Sequence, residues 1–169
     1  MNRVVYFVEG ECEKQLINAL KENPAVIHPG KVKKLNVMQE YLTMSQLVQI
    51  QTGTIVVLVF DTDVPASECF NKNIERLKSK CTNVEIVYLL QVLNLEDELV
   101  RCSVVKRISE LTQSLSDKDF KRDFCAATNV RALLKQHRLD VSKLWTQNPP
   151  ESFNLVERNS ERIKLGTSL

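Results

Sequence analysis

The segment Thr54–Phe60 reads Thr-Ile-Val-Val-Leu-Val-Phe, and Ile55–Phe60 within it is the longest uninterrupted apolar stretch of the chain. Gly53 precedes it and Asp61-Thr62-Asp63 follows it. A short β-branched run bounded in this way is a strand buried on both faces, and such strands occupy the interior of parallel sheets covered by helices. The stretch is also far short of the ~20 apolar residues a membrane-spanning helix needs, so no membrane partner is expected. Met1-Asn2-Arg3 leads straight into a strand pattern without a signal-like segment, which makes a cytoplasmic location the expectation.

The rest of the pattern builds around that strand. Strands are predicted near 3–8, 32–38, 54–60 and 84–90. Arg3–Val8 is an apolar and aromatic run, Val84–Leu90 is another, and Lys31–Met38 is a weaker one carrying Val32, Leu35 and Val37. Between them lie helical periodicities. Leu16, Ile17, Ala19 and Leu20 share one face over Glu11–Glu22, which Pro24 ends. Thr43–Gln51 is a short helix with Thr43 or Ser45 as N-cap, and Ser67–Cys81 places Cys69, Phe70, Ile74 and Leu77 on one face. A helix is expected to begin within Leu93–Val100. Alternating strands and helices predict an α/β fold with a mostly parallel four-strand sheet flanked by helices. From Lys106 onward Leu111, Leu115, Phe120, Phe124, Val130, Leu133 and Leu134 mark two or three more helices, up to Pro149-Pro150. The organisation expected is an α/β core over 1–103 and a helical C-terminal extension over 104–169 packed on it. Its polar tail, 151–169, is expected to dock through Ile163 and Leu165.

Several chemistries are excluded by what the chain lacks. The five cysteines, Cys12, Cys69, Cys81, Cys102 and Cys125, include no CxxC pair and are odd in number, so they read as scattered reduced thiols. With His28 and His137 the only histidines, histidine-based metal or triad chemistry has no support. Neither a P-loop nor a GxGxxG loop is present. No Asp precedes Asp61, which removes the phosphoryl-accepting Asp after a first strand. Carboxylates, lysines and hydroxyls remain. Residues 1–100 carry 10 Lys and Arg against 13 Asp and Glu, whereas residues 101–169 carry 13 against 8. An acidic first part beside a basic second part suits a carboxylate site next to a surface for a polyanion, although two ordinary solvated faces would carry the same charges.

Both acidic clusters follow apolar strands. Glu9-Gly10-Glu11-Cys12-Glu13 ends the first, and Asp61-Thr62-Asp63 ends the third about 50 residues later. In parallel sheets ligands bind beyond the carboxyl ends of the strands. If the two strands are neighbours, the carboxylates of Glu9, Asp61 and Asp63 should lie within one metal shell or one water of each other, with Glu13 adjacent. Without a cation, their repulsion should raise at least one pKa. Hard oxygen ligands of this type suit Mg2+, which needs only one or two carboxylates plus substrate phosphate.

Val4-Val5-Tyr6-Phe7-Val8-Glu9-Gly10-Glu11-Cys12-Glu13-Lys14 resembles the first motif of the TOPRIM (topoisomerase–primase) fold, in the form found in nucleases of the overcoming-lysogenization-defect type. Val56–Phe60 with Asp61-Thr62-Asp63 resembles the second motif. Cys12 departs from the Thr or Asp usual at its position. The resemblance covers about residues 3–100. It implies a Mg2+ (or Mn2+) site at Glu9, Glu13, Asp61 and Asp63, with a further acid from Glu96 or Asp97. Catalysis would fall to Glu9, Asp61 and Asp63. Related nucleases also use a lysine from the C-terminal lobe, for which Lys118 and Lys121 are candidates.

Two functions follow as expectations. One is a metal-dependent nuclease acting on DNA or RNA, in nucleic-acid processing or as a phage-defence effector controlled by a regulatory protein partner. Its substrate would cross the basic second part at Lys118, Lys121 and Arg122. The other is a non-catalytic TOPRIM-like binding or regulatory module. No active-site tyrosine domain or zinc module is visible, and Tyr6, Tyr41 and Tyr88 all lie in or beside expected core elements, so strand passage and primer synthesis are not expected.

Overall fold

The computed structural model describes residues 3–167 and 169. Four strands, β1 (Val4–Val8), β2 (Lys31–Lys34), β3 (Ile55–Asp61) and β4 (Glu85–Gln91), form one sheet in the order β2-β1-β3-β4. Every pairing is parallel. The strand predicted to be central, β3, lies between β1 and β4, and Ile55–Phe60 are all buried. Helices cover both faces, so the α/β class and the parallel sheet are as the sequence pattern predicts.

Alternation along the strands divides the core in two. Val4, Tyr6, Val8, Val57, Val59 and Leu89 point to one side. There they meet α1 (Glu11–Lys21) through Leu16, Ile17 and Leu20. The same side receives α4 (Leu95–Cys102), α5 (Ile108–Thr112), α6 (Phe120–Ala126) and α7 (Val130–Gln136), through Leu99, Leu111, Phe124 and Leu134. Phe7, Val56, Leu58, Phe60 and Tyr88 point the other way. They pack on Leu47 of α2 (Met44–Val48) and on Phe70, Ile74 and Leu77 of α3 (Glu68–Lys80). Local signals start these helices, at Thr43, one of the two caps expected for α2, and at Ser67, which the sequence expectation does not single out as a cap. Thr43 and Gln46 form a reciprocal capping box on α2, and the Ser67 hydroxyl accepts the Phe70 N–H at 3.0 Å at the start of α3.

Several details differ from the sequence expectation. The second strand ends at Lys34, not at Met38. Its ladder partner β1 ends at Val8, which registers with Lys34, so nothing remains beyond it to pair with. Asn36 then turns the chain by accepting the Met38 N–H at 3.0 Å, and Leu35, Val37 and Met38 join the second face as loop residues. Leu115 is 99% exposed, not part of a helix face, because α5 closes at Gln113 in a left-handed conformation (φ 56) and the next helical turn begins only at Asp117. Of the three tyrosines, Tyr6 and Tyr88 are buried, and Tyr41 lies exposed just before α2 with its ring under the Arg76 guanidinium.

The tail is more deeply integrated than its polarity suggests. Trp145 is fully buried on the α1 side, whereas Phe153 is buried on the opposite side between Phe60 and Phe70, with ring centroids 5.6 Å from each. Residues 104–169 therefore embrace both faces of the sheet. Asn159 also covers the free edge of β4, accepting the Tyr88 N–H at 2.9 Å and donating to the Ile86 carbonyl at 2.8 Å. This blocks the edge against a further strand. Ile163 is buried as expected, but Leu165 is half exposed.

Replacing Phe153 by Ala should cost about 3–5 kcal/mol, the usual penalty for emptying a buried aromatic site. Denaturant unfolding measures it, and a loss below ~1 kcal/mol would mean that the tail is not part of the core.

Candidate metal centre

The chain leaves β1 toward one edge of the sheet, to β2, and later builds outward on the other side through β3 and β4. The crevice beyond the carboxyl ends of β1 and β3 is thus the switch point at which parallel sheets bind ligands. Val8 registers with Val59, so Glu9 emerges next to the end of β3. Its Oε2 accepts the Asp61 N–H at 3.3 Å, and its Oε1 accepts from the Asn36 amide at 3.0 Å.

Glu13 reaches the same place from the first turn of α1. A Cβ at Gly10 would stand 2.8 Å from Glu13 Oε2, so the glycine leaves room for the carboxylate to fold back over the helix N-terminus, where the dipole favours it. Glu13 is buried, and burial together with the Glu9 charge pushes its carboxyl above the usual range. Asp61 is the most perturbed acid. Burial first, then the charges of Glu9, Glu13, Asp63 and Glu96, push it up to about 8. Its Oδ1 is buried without a hydrogen-bond partner.

The fourth strand and the helices behind it complete the enclosure. Leu93 takes a positive φ of 67°, uncommon for a branched side chain, and its N–H donates to the Thr62 hydroxyl at 3.1 Å. That turn ties the end of β3 to the start of α4, where Asn94 accepts the Asp97 N–H at 2.9 Å as the cap. Glu96 consequently faces the cluster, while Asp97 is exposed and exerts no comparable influence on Asp61. Glu96 Oε1 pairs with Lys121 Nζ of α6 at 3.3 Å, and Glu96 Oε2 is buried without a partner. Burial pulls the Lys121 ammonium down, but Glu96, Asp61 and Glu13 outweigh it and hold its pKa above the usual value. Glu9, Glu13, Asp61, Lys121, Cys12 and Cys125 line a cleft of about 200 Å³.

The structure thus gathers Glu9, Glu13, Asp61, Glu96 and Lys121. Asp63 lies exposed past the end of β3 and is felt at Asp61 only as a charge. Among the described residues no three His, Cys, Asp or Glu side chains are gathered closely enough to form a ready-made metal shell, so the expected shell of Glu9, Asp61 and Asp63 is not preformed. The reason is visible in the bonding: Glu9 is turned to Asn36 and the Asp61 N–H, and Glu96 to Lys121. Lys118 is exposed, and Arg122 is engaged by Asp119 at 3.0 Å and Asp123 at 2.8 Å. The residues nonetheless fit a hard cation. Two buried carboxylate oxygens, Asp61 Oδ1 and Glu96 Oε2, lack any donor, and the oxygen-rich donor set is the kind that Mg2+ or Mn2+ takes.

Two participants were not anticipated. Asn36 orients Glu9, and no local pattern marks it. Gln91 is fully buried in register with Asp61, and both its amide atoms lack partners. The only trace of Gln91 in the sequence is a polar residue closing an otherwise apolar strand. Compared with family models, curated proteins and solved structures, the chain matches none. Among the described residues no helix is long and apolar enough to cross a membrane.

The Asp61 pKa makes stability pH-dependent. Between about pH 4 and pH 8 the folded protein holds a proton that the unfolded chain, with an ordinary carboxyl near 3.8, has released. Metal-free stability should therefore fall as pH rises through that window and level off above it. Asp61→Asn should match wild type near the acid end and melt several degrees higher near pH 8.5, each kcal/mol being worth roughly 2–4 °C in a chain of this size. Melting curves across pH test it; parallel curves for the two proteins would show that Asp61 titrates normally.

Proposed function

We propose that this chain is a TOPRIM-like nuclease that hydrolyses phosphodiester bonds with Mg2+ or Mn2+. The observation that carries the reading is Asp61, an acid with its pKa near 8 and an unpartnered buried oxygen, at the switch point of a parallel sheet among Glu9, Glu13 and Glu96. Such a frustrated cluster costs stability, and perturbed carboxylates in clefts are concentrated at functional sites. The motif order, Glu9-Gly10 after the first strand and Asp61-Thr62-Asp63 after the third, supports the same reading.

Glu9, Glu13, Asp61 and Glu96 would hold the cation, with Asp63 at the outer rim. When bound, a divalent cation polarises a phosphoryl oxygen and lowers the pKa of a bound water. Asp61 would have to give up its proton for a cation to bind, so affinity would rise with pH up to about 8. Asn36 and the Asp61 N–H keep Glu9 oriented. Lys121 offsets part of the negative charge that would repel a phosphate, and stands where it can contact one.

A non-catalytic binding module is the second reading, and the Lys121–Glu96 pair favours it, because an internal ammonium eases the cluster with no metal present. Cleavage assays separate the two. Single- and double-stranded DNA and RNA should be cut in Mg2+ or Mn2+, poorly in Ca2+, whose longer bonds and larger shell misplace the water. Glu9→Gln and Asp61→Asn should each abolish cutting while the proteins stay folded. Neutralising Lys118, Lys121 and Arg122 together should weaken binding and flatten its salt dependence by about one log–log unit per lost phosphate contact. The absence of metal-dependent cleavage of any nucleic acid would leave the binding module as the function.

A further inference from the structure

The same cleft contains a feature that metal binding does not use. Cys12 Sγ on α1 and Cys125 Sγ on α6 are 2.8 Å apart, although 113 residues separate them in the chain. That is about 0.8 Å beyond the ~2.0 Å of a disulfide bond, so closing the gap requires only a small side-chain adjustment. Their helices are held in place independently of the sulfurs. Gln15 on α1 donates to the Cys125 carbonyl at 3.1 Å, and the Cys12 thiol also points at the Lys121 carbonyl, 3.6 Å away. Both line the cleft, Cys125 partly exposed and Cys12 buried, an arrangement that gives Cys125 the better access to an oxidant and leaves Cys12 to resolve. The other three cysteines have separate surroundings: Cys69 beside Asn73, Cys81 beside the Leu47 carbonyl, and Cys102 beside Glu98.

We propose that Cys12 and Cys125 are a reversible disulfide modification site, oxidised by hydroperoxides. Cys125 attacks the peroxide oxygen through sulfur, giving a sulfenic acid and releasing water from hydrogen peroxide. Cys12 then attacks the Cys125 sulfur, the S–S bond forms, and the sulfenic oxygen leaves as a second water. Overall, two thiols lose two hydrogens and two electrons, and one peroxide becomes two waters. Because Glu13 follows Cys12 directly and Lys121 stands one turn before Cys125, the bond makes the α1–α6 wall of the acidic cleft covalent. The proposal does not depend on the nuclease reading.

The test treats the full-length protein with stoichiometric hydrogen peroxide, blocks remaining thiols under denaturing conditions, and maps peptides without reduction. The expected result is one linked peptide pair joining Cys12 to Cys125, lighter by two hydrogens, with Cys69, Cys81 and Cys102 alkylated, and full reversal by dithiothreitol. The oxidised protein should melt above the reduced one, because the cross-link restricts a long loop of the unfolded chain. Cys125→Ser should give neither the linked pair nor the shift. If that variant fails to fold, the wild-type map and melting curves still decide. A different pairing, links between chains, all five cysteines equally alkylated, or a lower melting temperature on oxidation would each overturn the proposal.

Discussion

The parallel pairing of β1 with β3 is the constraint on which the rest of the molecule depends. It places Val8 beside Val59, and so makes Glu9 and Asp61 leave the sheet at one edge, close enough for the Glu9 carboxylate to accept the Asp61 N–H. Two buried apolar strands favour this pairing through their side chains, but the acids at their ends oppose it. The sheet's interior therefore stabilises an arrangement that its carboxyl end would otherwise push apart.

How that repulsion is contained explains much of the second half of the chain. Glu9 is held by an amide and a backbone N–H, Glu13 by the N-terminus of α1, and Glu96 by Lys121. Asp61 has no such partner for Oδ1 and holds a proton instead, its pKa near 8. The basic excess of residues 101–169 is likewise not one continuous field. Arg107 pairs with Asp117, Arg122 with Asp119 and Asp123, Lys143 with Asp140 and Arg162 with Glu85, so much of it is compensated within the surface. Lys121 is the cation of this region that the structure places at the acidic cleft.

The C-terminal region also closes the architecture. It lays α5, α6 and α7 over the α1 side, then carries Phe153 to the opposite face and Asn159 to the free edge of β4. A chain of modest length thereby buries both sides of its sheet and shields the edge strand that would otherwise invite association. The same packing brings Cys125 to Cys12, so the wall that supplies Lys121 also carries the thiol pair.

Much of this was legible in the sequence because it rests on local rules. The apolar runs marked β1, β3 and β4, and the 3.6-residue periodicity marked α1 and α3. Thr43 announced the start of α2 through hydrogen bonds made within three residues. The positions of Glu9 and Asp61 at strand ends followed from those same runs. What the tertiary structure alone decided involves partners far apart in the chain. β2 stopped early because its neighbour had ended, which no property of Leu35 or Val37 encodes. The turn at Leu93 aimed Glu96 rather than Asp97 at Asp61, and the cross-strand register set Gln91 beside that acid. Cysteines that read as scattered became neighbours only when α6 docked on α1. Periodicity and capping are properties of a few consecutive residues, whereas registers, helix docking and the desolvation that lifts a carboxyl arise only when distant segments exclude water from one another.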